Sequence, residues 1–281
     1  MRLLTRRRFL GLTGAAAAAT AGLGVYAWKI EPRWLEVVRR PLPVRRLPDA
    51  LAGRILVQLS DLHIGRQVDD EYVRATFQRI AQLRPAIVVV TGDIISHHAA
   101  VLEQVDALSR ELPRGHLATI AVLGNHDYGP GWSHPEIARA LVETIAPRGI
   151  TVLRNDVLEV EGLQIAGLDD LWAGRFDGAA TLARLDPHRA ALVLSHNPDT
   201  VDLDVWRGYE GWILSGHTHG GQCKPPFLEP PLLPVENHRY VAGAYSLAGG
   251  RRLYVNRGVG HLLPVRFNVR PEATGFELVR A

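Results

Sequence analysis

Five short apolar runs in this chain each end in a cluster of polar side chains, and this repetition constrains the fold more than any other feature. With the residues that follow them, the runs read RILVQLSDLH, AIVVVTGD, ATIAVLGNHD, AALVLSHNPD and EGWILSGHTH. Short runs that are apolar throughout are typical of strands buried on both faces. Between the first two runs, Val73, Phe77 and Ile80 keep helical spacing, and Asp69 or Asp70 can cap the start. Strands that alternate with helices predict an α/β domain with a parallel or mixed sheet covered by helices.

Two further segments extend this pattern. SHPEIARALVETIA predicts a second amphipathic helix, in which Ser133 and Glu136 have the spacing of a capping box. Segment 150–195 contains short strands between turns, and it predicts a second sheet packed on the first.

Segment 34–48 alternates in character and contains prolines. This composition favours an edge strand or an approach arm to the sheet, with a segment that rests on anionic lipid as the alternative. No repeat or low-complexity linker divides the chain after residue 48. We therefore expect one domain over residues 31–281.

The charge of the chain is concentrated at its N-terminus. The 281 residues carry a formal net charge of +3, but segment 1–30 holds five basic residues and no acid, so the remainder carries −2. A near-neutral body removes the electrostatic support for nucleic-acid binding, and we expect no nucleic-acid partner.

The N-terminal segment, residues 1–30, resembles a twin-arginine (Tat) export signal. TRRRFLGL places paired arginines before Phe-Leu, and an uncharged run rich in Ala and Gly follows to Trp28. An ordinary membrane anchor is the alternative, although the apolar run is short for a span. Ala27 ends a small-residue cleavage motif, and the sequence leaves open whether the segment is cut or retained. We expect export through the Tat translocase to the periplasm or cell envelope, with possible attachment to the membrane surface.

The polar residues after the five runs form a set of metal-ligand types. They are Asp61, His63, Asp93, Asn125, His196, His217 and His219. In GHTHGGQ the two histidines can reach one point only through a sharp turn, which the glycines permit. Each short motif is weak alone, but at neighbouring strand ends the whole set would crowd carboxylates and imidazoles into one crevice. A pair of divalent cations would offset that crowding.

The order DxH, GD, GNHD, H and GHxH resembles the calcineurin-like metallophosphoesterase superfamily over residues 55 to about 222. The tail motifs PVENHRYVAG, LYVNRGVG and RPEATGFELV, together with the leader, are similar to the small Tat-exported, YaeI-like bacterial phosphodiesterases. The resemblance implies a four-layer α/β/β/α sandwich with two mixed β-sheets.

The resemblance also implies roles for individual residues. It implies two ligand sets with Asp93 between them: Asp61, His63 and His219 on one metal, and Asn125, His196 and His217 on the other. Carboxylate, imidazole and amide ligands suit Mn²⁺, Fe or Zn²⁺. A hydroxide bridging two such ions would be the nucleophile at phosphorus. His126 would protonate the leaving oxygen or steady the phosphoryl charge, with Asp127 as its orienting partner.

Other side chains carry weaker expectations. Trp132 and Trp172 either wall a pocket for an apolar or ring-bearing substrate or serve as plain packing. His97 and His98 follow the GD motif, and we expect them to be solvated, with contact to substrate as the alternative. Arg257 either contacts a phosphate or holds a turn. We expect structural roles for His116, His188, His238 and His261, and for Cys223 as a buried thiol that is the only cysteine.

The motifs narrow the substrate class. The chain has GDIISHH and GNHD, whereas protein Ser/Thr phosphatases of the superfamily carry GDxxDRG and GNHE, which argues against a phosphoprotein phosphatase. A phosphodiesterase or pyrophosphatase remains, and we expect a metal-dependent phosphodiesterase. The alternatives are a lipid-precursor hydrolase of the UDP-2,3-diacylglucosamine pyrophosphatase type and a non-catalytic binding scaffold.

Overall fold

Two six-stranded sheets form the centre of the protein, in a computed structural model that describes residues 5–206 and 208–281. The first sheet has the spatial order β1-β12-β2-β3-β4-β5. Its strands are β1 (Glu36–Val44), β2 (Ile55–Leu59), β3 (Ile87–Thr91), β4 (Ala118–Val122), β5 (Thr151–Val152) and β12 (Glu272–Arg280). Strands β2 to β5 run parallel, and β12 is antiparallel to β2.

The predicted edge strand is confirmed. Within the described part of the chain, strand β1 pairs with β12 alone, in parallel, from Glu36 opposite Glu272 to Val44 opposite Arg280. Pro41 and Pro43 lack an amide hydrogen, and an edge position tolerates this because one side of the strand needs no partner.

The second sheet has the order β10-β11-β9-β8-β7-β6. Its strands are β6 (Asp156–Val160), β7 (Leu163–Gly167), β8 (Ala191–Leu194), β9 (Trp212–Ser215), β10 (Gly243–Ser246) and β11 (Arg252–Val255). The four central strands run parallel, and both edge strands are antiparallel to their neighbours. The expectation of two mixed sheets is therefore confirmed.

Helices cover the outer faces of the sheets. They are α2 (Asp70–Ala81), α3 (Leu102–Ser109) and α4 (Pro135–Ile145) over the first sheet, and the short α5 (Gly178–Leu182) over the second. Helix α2 begins as expected, because the Asp69 side chain accepts a hydrogen bond from the amide of Glu71. Helix α1 (Arg6–Val25) stands apart and has no buried residue.

Three apolar clusters of described residues fill the spaces between these layers. One lies between the sheets and takes side chains from both, for example Leu56 and Ile120 from the first and Leu192 and Leu214 from the second. The other two lie under the helices, on the outer face of each sheet. Because both faces of the central strands are buried, their sequences are apolar throughout rather than alternating.

Two sequence expectations need correction. The five runs do not lie in one set of neighbouring strands, because three end in the first sheet and two in the second. Helix α4 also starts differently: His134 is the N-cap residue and makes no capping hydrogen bond, and Pro135 occupies the first turn. Proline at that position has the backbone angle of a helix already, so a Ser133 capping box is not needed.

A buried polar network joins the two sheets. Glu272 on β12 accepts hydrogen bonds from the Tyr254 hydroxyl of β11 at 2.6 Å and from the Thr274 hydroxyl at 2.5 Å. The Arg257 guanidinium forms ion pairs with Glu272 and Glu36. Arg257 therefore links the loop after β11 to strands β1 and β12.

We expect Glu272→Ala to lower the free energy of unfolding by about 3–5 kcal/mol, because a part-buried guanidinium loses one of its two carboxylates and two hydroxyl donors lose their acceptor. Urea unfolding followed by circular dichroism measures the change. Glu277→Ala is the matched control, since Glu277 lies on the same strand but is exposed. Equal stabilities of the two variants would contradict the role given to the network.

Candidate metal centre

The predicted ligands lie in loops whose backbone takes an unusual conformation. Asp61, His63, Asp93, His217 and His219 all have positive φ angles, between 47° and 72°. Side chains other than glycine seldom occupy this left-handed region, and clusters of such residues mark functional sites. Each loop leaves the carboxyl end of a parallel strand, so the sharp turn aims its side chain back across the sheet edge.

Glycines before the ligands make room for this arrangement. A Cβ atom on Gly124 would overlap the carboxylate of Asp93, and one on Gly216 would overlap Ser60 and the carboxylate of Asp61. The glycines of the GN and GH motifs therefore permit neighbouring loops to approach closely.

The first group of ligands contains Asp61, His63 and His219, all of them buried. The two imidazoles are stacked, with 3.0 Å between the Nε2 atoms of His63 and His219. The Nε2 atom of His219 lies 3.3 Å from Asp61 Oδ1. Three ligand atoms thus face one point.

The second group contains Asp93, His196 and His217, which are also buried. The Nε2 atom of His196 lies 3.1 Å from His217 Nδ1 and 3.2 Å from Asn125 Oδ1. Oxygen Oδ2 of Asp93 lies 3.3 Å from His196 Nε2 and 3.6 Å from His63 Nε2. One carboxylate oxygen therefore faces both groups, as a shared ligand would.

Burial dominates the electrostatics of these groups. It raises the pKa of Asp61 to about 7 and lowers the pKa of His217 to about 3. Burial also acts to lower the pKa of His196, but contact with Asp93 outweighs it and raises that pKa to about 10. Divalent cations would favour ionised carboxylates and neutral imidazoles here.

The donor set fits two divalent cations. Ligand atoms that surround an ion at about 2.1 Å stand roughly 3–3.5 Å from one another. The separations given above within the two groups, from 3.0 to 3.3 Å, have this size. Imidazole nitrogens with carboxylate and amide oxygens suit Zn²⁺, Fe or Mn²⁺ rather than Ca²⁺.

His126 lies beside the ligands but takes a partner that the sequence did not suggest. Its Nε2 atom is 3.8 Å from Asp93 Oδ2, and its Nδ1 atom is 2.6 Å from Nδ1 of His97. Burial lowers the pKa of both imidazoles, for His97 to about 4. His97 is therefore part of the site rather than solvated, whereas His98 is exposed.

Asp127 has other partners than the expected one. Its Oδ1 atom accepts hydrogen bonds from the amides of Ile94 and Ile95, and its Oδ2 atom accepts one from Gly124. Oxygen Oδ1 thus joins the GNHD turn to the loop after Asp93, and Oδ2 closes the GNHD turn itself. The physical reason is the tight turn Asn125–Tyr128, which directs the carboxylate into the core while the imidazole of His126 stays at the site.

Two tryptophans stand next to the second ligand group. The ring of Trp172 lies edge-on to the His217 ring at 4.4 Å between centroids, and Trp132 packs on Trp172 at 4.7 Å. Both are part-buried, and Trp132 has a φ angle of 59°. Trp172 therefore borders the second ligand group, while Trp132 also packs against the core under the helices, as the packing alternative expects.

A buried arginine also reaches the site. Arg266 is fully buried, and its Nη2 atom lies 3.3 Å from His219 Nδ1 and donates to the carbonyl of Gly260 at 2.7 Å. No motif marks Arg266, because its contact with His219 spans 47 residues of chain.

The remaining candidates are structural or peripheral. His261 and His116 hydrogen-bond to the backbone carbonyls of Gln67 and Pro85. His188 and His238 are exposed. Cys223 is half-buried rather than buried.

We expect His217→Ala to lose at least half of the Mn²⁺ that the parent protein retains after stripping and refilling, because one ligand group loses a nitrogen. Elemental analysis of the desalted protein measures the content. His188→Ala is the control, and full metal content in His217→Ala would refute the assignment of His217.

Comparisons with known proteins agree with this geometry. The chain matches the family described as Calcineurin-like phosphoesterase over residues 55–221. It is 36% identical to the uncharacterized metallophosphoesterase YkuE of Bacillus subtilis, over 99% of both chains. It is 35% identical to the phosphodiesterase YaeI of Escherichia coli, over 99% of this chain and 100% of that protein. It is 29% identical to the UDP-2,3-diacylglucosamine pyrophosphatase LpxG of Chlamydia trachomatis, over 88% of this chain and 90% of that protein. The chain therefore belongs to the calcineurin-like metallophosphoesterase family.

Proposed function

We propose that this protein is a binuclear metal-dependent phosphodiesterase. The observation that carries the proposal is the pair of buried ligand groups that share one oxygen of Asp93. All seven ligand positions hold side chains able to bind a metal, which weighs against a non-catalytic scaffold.

In this proposal Asp61, His63 and His219 would hold one ion, Asn125, His196 and His217 would hold the other, and Asp93 would be the shared ligand. Two such ions supply Lewis acidity and an activated water nucleophile for displacement at phosphorus. The protein contributes fixed ligand positions, and the left-handed turns hold them before substrate arrives.

His126 serves as the proton donor to the leaving oxygen. In this role His126 is in its imidazolium form: its Nδ1–H donates to Nδ1 of a neutral His97, 2.6 Å away, and its Nε2–H is the proton given to the leaving oxygen. The Nε2 atom of His126 lies 3.8 Å from Asp93 Oδ2, and the His126 side chain is 12% exposed. His97 is the positioning residue, and Asp127 keeps the turn in place.

The choice of a diester substrate rests on sequence and relatives. The loop after Asp93 and the GNHD motif depart from the protein phosphatase pattern, and a relative that matches the full length is named as a phosphodiesterase. A lipid-precursor pyrophosphatase is the second candidate, because a relative that this chain also matches over most of its length carries that name and an exposed apolar helix precedes the domain.

We further propose that residues 1–30 remain attached as an anchor to a domain formed by residues 31–281. Residues 1–4 lie outside the described residues. Helix α1 has 20 residues, about 30 Å, which approaches the thickness of a bilayer core. The helical run continues without an extended segment to Arg33, past the possible cleavage point at Ala27. Tat export to the cell envelope agrees with the paired arginines.

The first test compares hydrolysis of bis(p-nitrophenyl) phosphate and p-nitrophenyl phosphate by the full chain refilled with Mn²⁺, Zn²⁺ or Fe²⁺. We expect metal-dependent turnover that favours the diester. Asp93→Asn should reduce it by at least about 10³-fold, because both ions lose their shared ligand, whereas Asp49→Asn, an exposed carboxylate, should leave it unchanged. Undiminished turnover in Asp93→Asn would refute the two-metal proposal. No turnover of either ester by the folded, metal-loaded parent would favour the pyrophosphatase candidate or the scaffold.

The role of His126 predicts a dependence on the leaving group. With diphenyl phosphate, whose phenolate is a poor leaving group, we expect His126→Gln to lower kcat by about 10²-fold and His97→Gln to lower it by less. With bis(p-nitrophenyl) phosphate both losses should shrink, because p-nitrophenolate departs without a proton. His98→Gln is the neighbouring control. Equal losses with both esters would show that these histidines do not donate the proton.

A further inference from the structure

Large apolar side chains are exposed in two loops beside the metal centre. Outside segment 5–34, the four most exposed large apolar residues that the structure describes are Phe227, Leu228, Leu232 and Leu263. Phe227 is fully exposed, and the other three are exposed by 62%, 77% and 66%. We name residues 223–232 and 261–268 the docking loops.

The docking loops form one surface. The amide of Lys224 donates to the carbonyl of Phe267 at 2.9 Å, and Gln222 Nε2 donates to the carbonyl of Val265 at 3.1 Å. A Cβ atom on Gly221 would overlap Pro230, so the first docking loop also packs on the turn that carries His219. The exposed apolar residues therefore lie on loops that hydrogen bonds and packing hold in place.

This surface adjoins the foot of the N-terminal helix. The amide of Arg266 donates to the carbonyl of Ala27 at 2.9 Å, and the amide of Val269 donates to Glu31 Oε1 at 2.6 Å. Glu31 itself is buried. The apolar loops and the helix that is long and apolar enough to cross a membrane are thus fixed on the same side of the domain.

Basic and aromatic residues surround the junction. Trp28 and Trp34 are about half exposed, with Lys29 over the Trp28 ring and Arg270 over the Trp34 ring, each at 3.7 Å. Tryptophan beside lysine and arginine is typical of the headgroup region of a membrane, where the ring is half-buried and the cation meets phosphate.

The backbone of Phe227 gives a further observation. Its φ angle is 67°, a region that bulky side chains rarely occupy, and its ring is fully exposed. An exposed aromatic ring gains no stabilisation from burial that would offset the strain of its backbone. Observed strain of this kind points to function.

We propose that the docking loops insert shallowly into the membrane leaflet from which helix α1 emerges, so that the domain rests on the bilayer beside its metal centre. This inference depends on the proposed anchor but not on the identity of the phosphoester. The occupant is a lipid leaflet, because the surface is continuous with the apolar helix and is flanked by cations suited to anionic headgroups.

Site-directed spin labelling of the full chain tests the proposal. In a Cys223→Ser background, single labels are placed through Leu228→Cys and Leu263→Cys, and through Leu117→Cys as the control. Leu117 directly precedes β4, at the amino-terminal end of the strand, whereas the ligands follow the carboxyl ends of the strands. Each protein is reconstituted into vesicles of phosphatidylcholine and phosphatidylglycerol. Collision rates with oxygen, which concentrates in lipid, and with a nickel chelate, which stays in water, are then measured.

We expect the labels at 228 and 263 to collide more with oxygen than with nickel, and the label at 117 to do the reverse. Nickel access at 228 and 263 equal to that at 117 would overturn the proposal. Dipolar broadening between labels at 228 would also overturn it, because a second copy of the chain would then cover the surface. Turnover of bis(p-nitrophenyl) phosphate by the same samples keeps the two proposals separate, since its absence would refute the diesterase alone.

Discussion

The structure depends on the convergence of seven buried polar side chains in one small space. Burying several carboxylates and imidazoles together is unfavourable, because the charged form of each group loses its hydration. Here they are held about 3 Å apart by a backbone that is itself strained, with a positive φ angle at five of the seven residues. Rigid strands on both sides are what such an arrangement requires, and the buried strands of the two sheets provide them.

The two sheets must also keep a fixed relative position. The first sheet supplies Asp61, Asp93 and their neighbours, and the second supplies His196 and the GHTH loop. A slip between the sheets would separate the ligand sets. Gln58 opposes such a slip just beneath the site: its Nε2 atom donates to the Thr91 hydroxyl of one sheet and to the Ser215 carbonyl of the other. The buried Glu272 network does the same farther along the seam.

Residue type and position at strand ends were enough to predict which side chains converge, because the carboxyl ends of parallel strands meet at one edge. The assignment of strands to sheets could not be predicted in the same way. It depends on which apolar faces pack together, and the five runs look alike.

The hydrogen-bond partners of His126 and Asp127 were harder to predict than the ligands. Asp127 is adjacent to His126 in sequence, yet the turn between them sends the two side chains in different directions. His97, the observed partner of His126, lies 29 residues away and needs a left-handed turn of its own to reach it. Local sequence carries no signal for such contacts, since tertiary packing creates them.

The junction between helix α1 and the domain has a mechanical consequence. Because Glu31 is buried and the carbonyl of Ala27 is bonded to Arg266, no flexible linker separates the helix from the domain. A membrane-embedded helix would therefore hold the domain in a fixed position relative to the membrane, which a flexible tether would not do. The enzyme could diffuse laterally, but it could neither rise from the surface nor sweep through the volume around it. Molecules far from the bilayer would have to travel to the metal centre, and the height of the active site would be set by a few residues of helix.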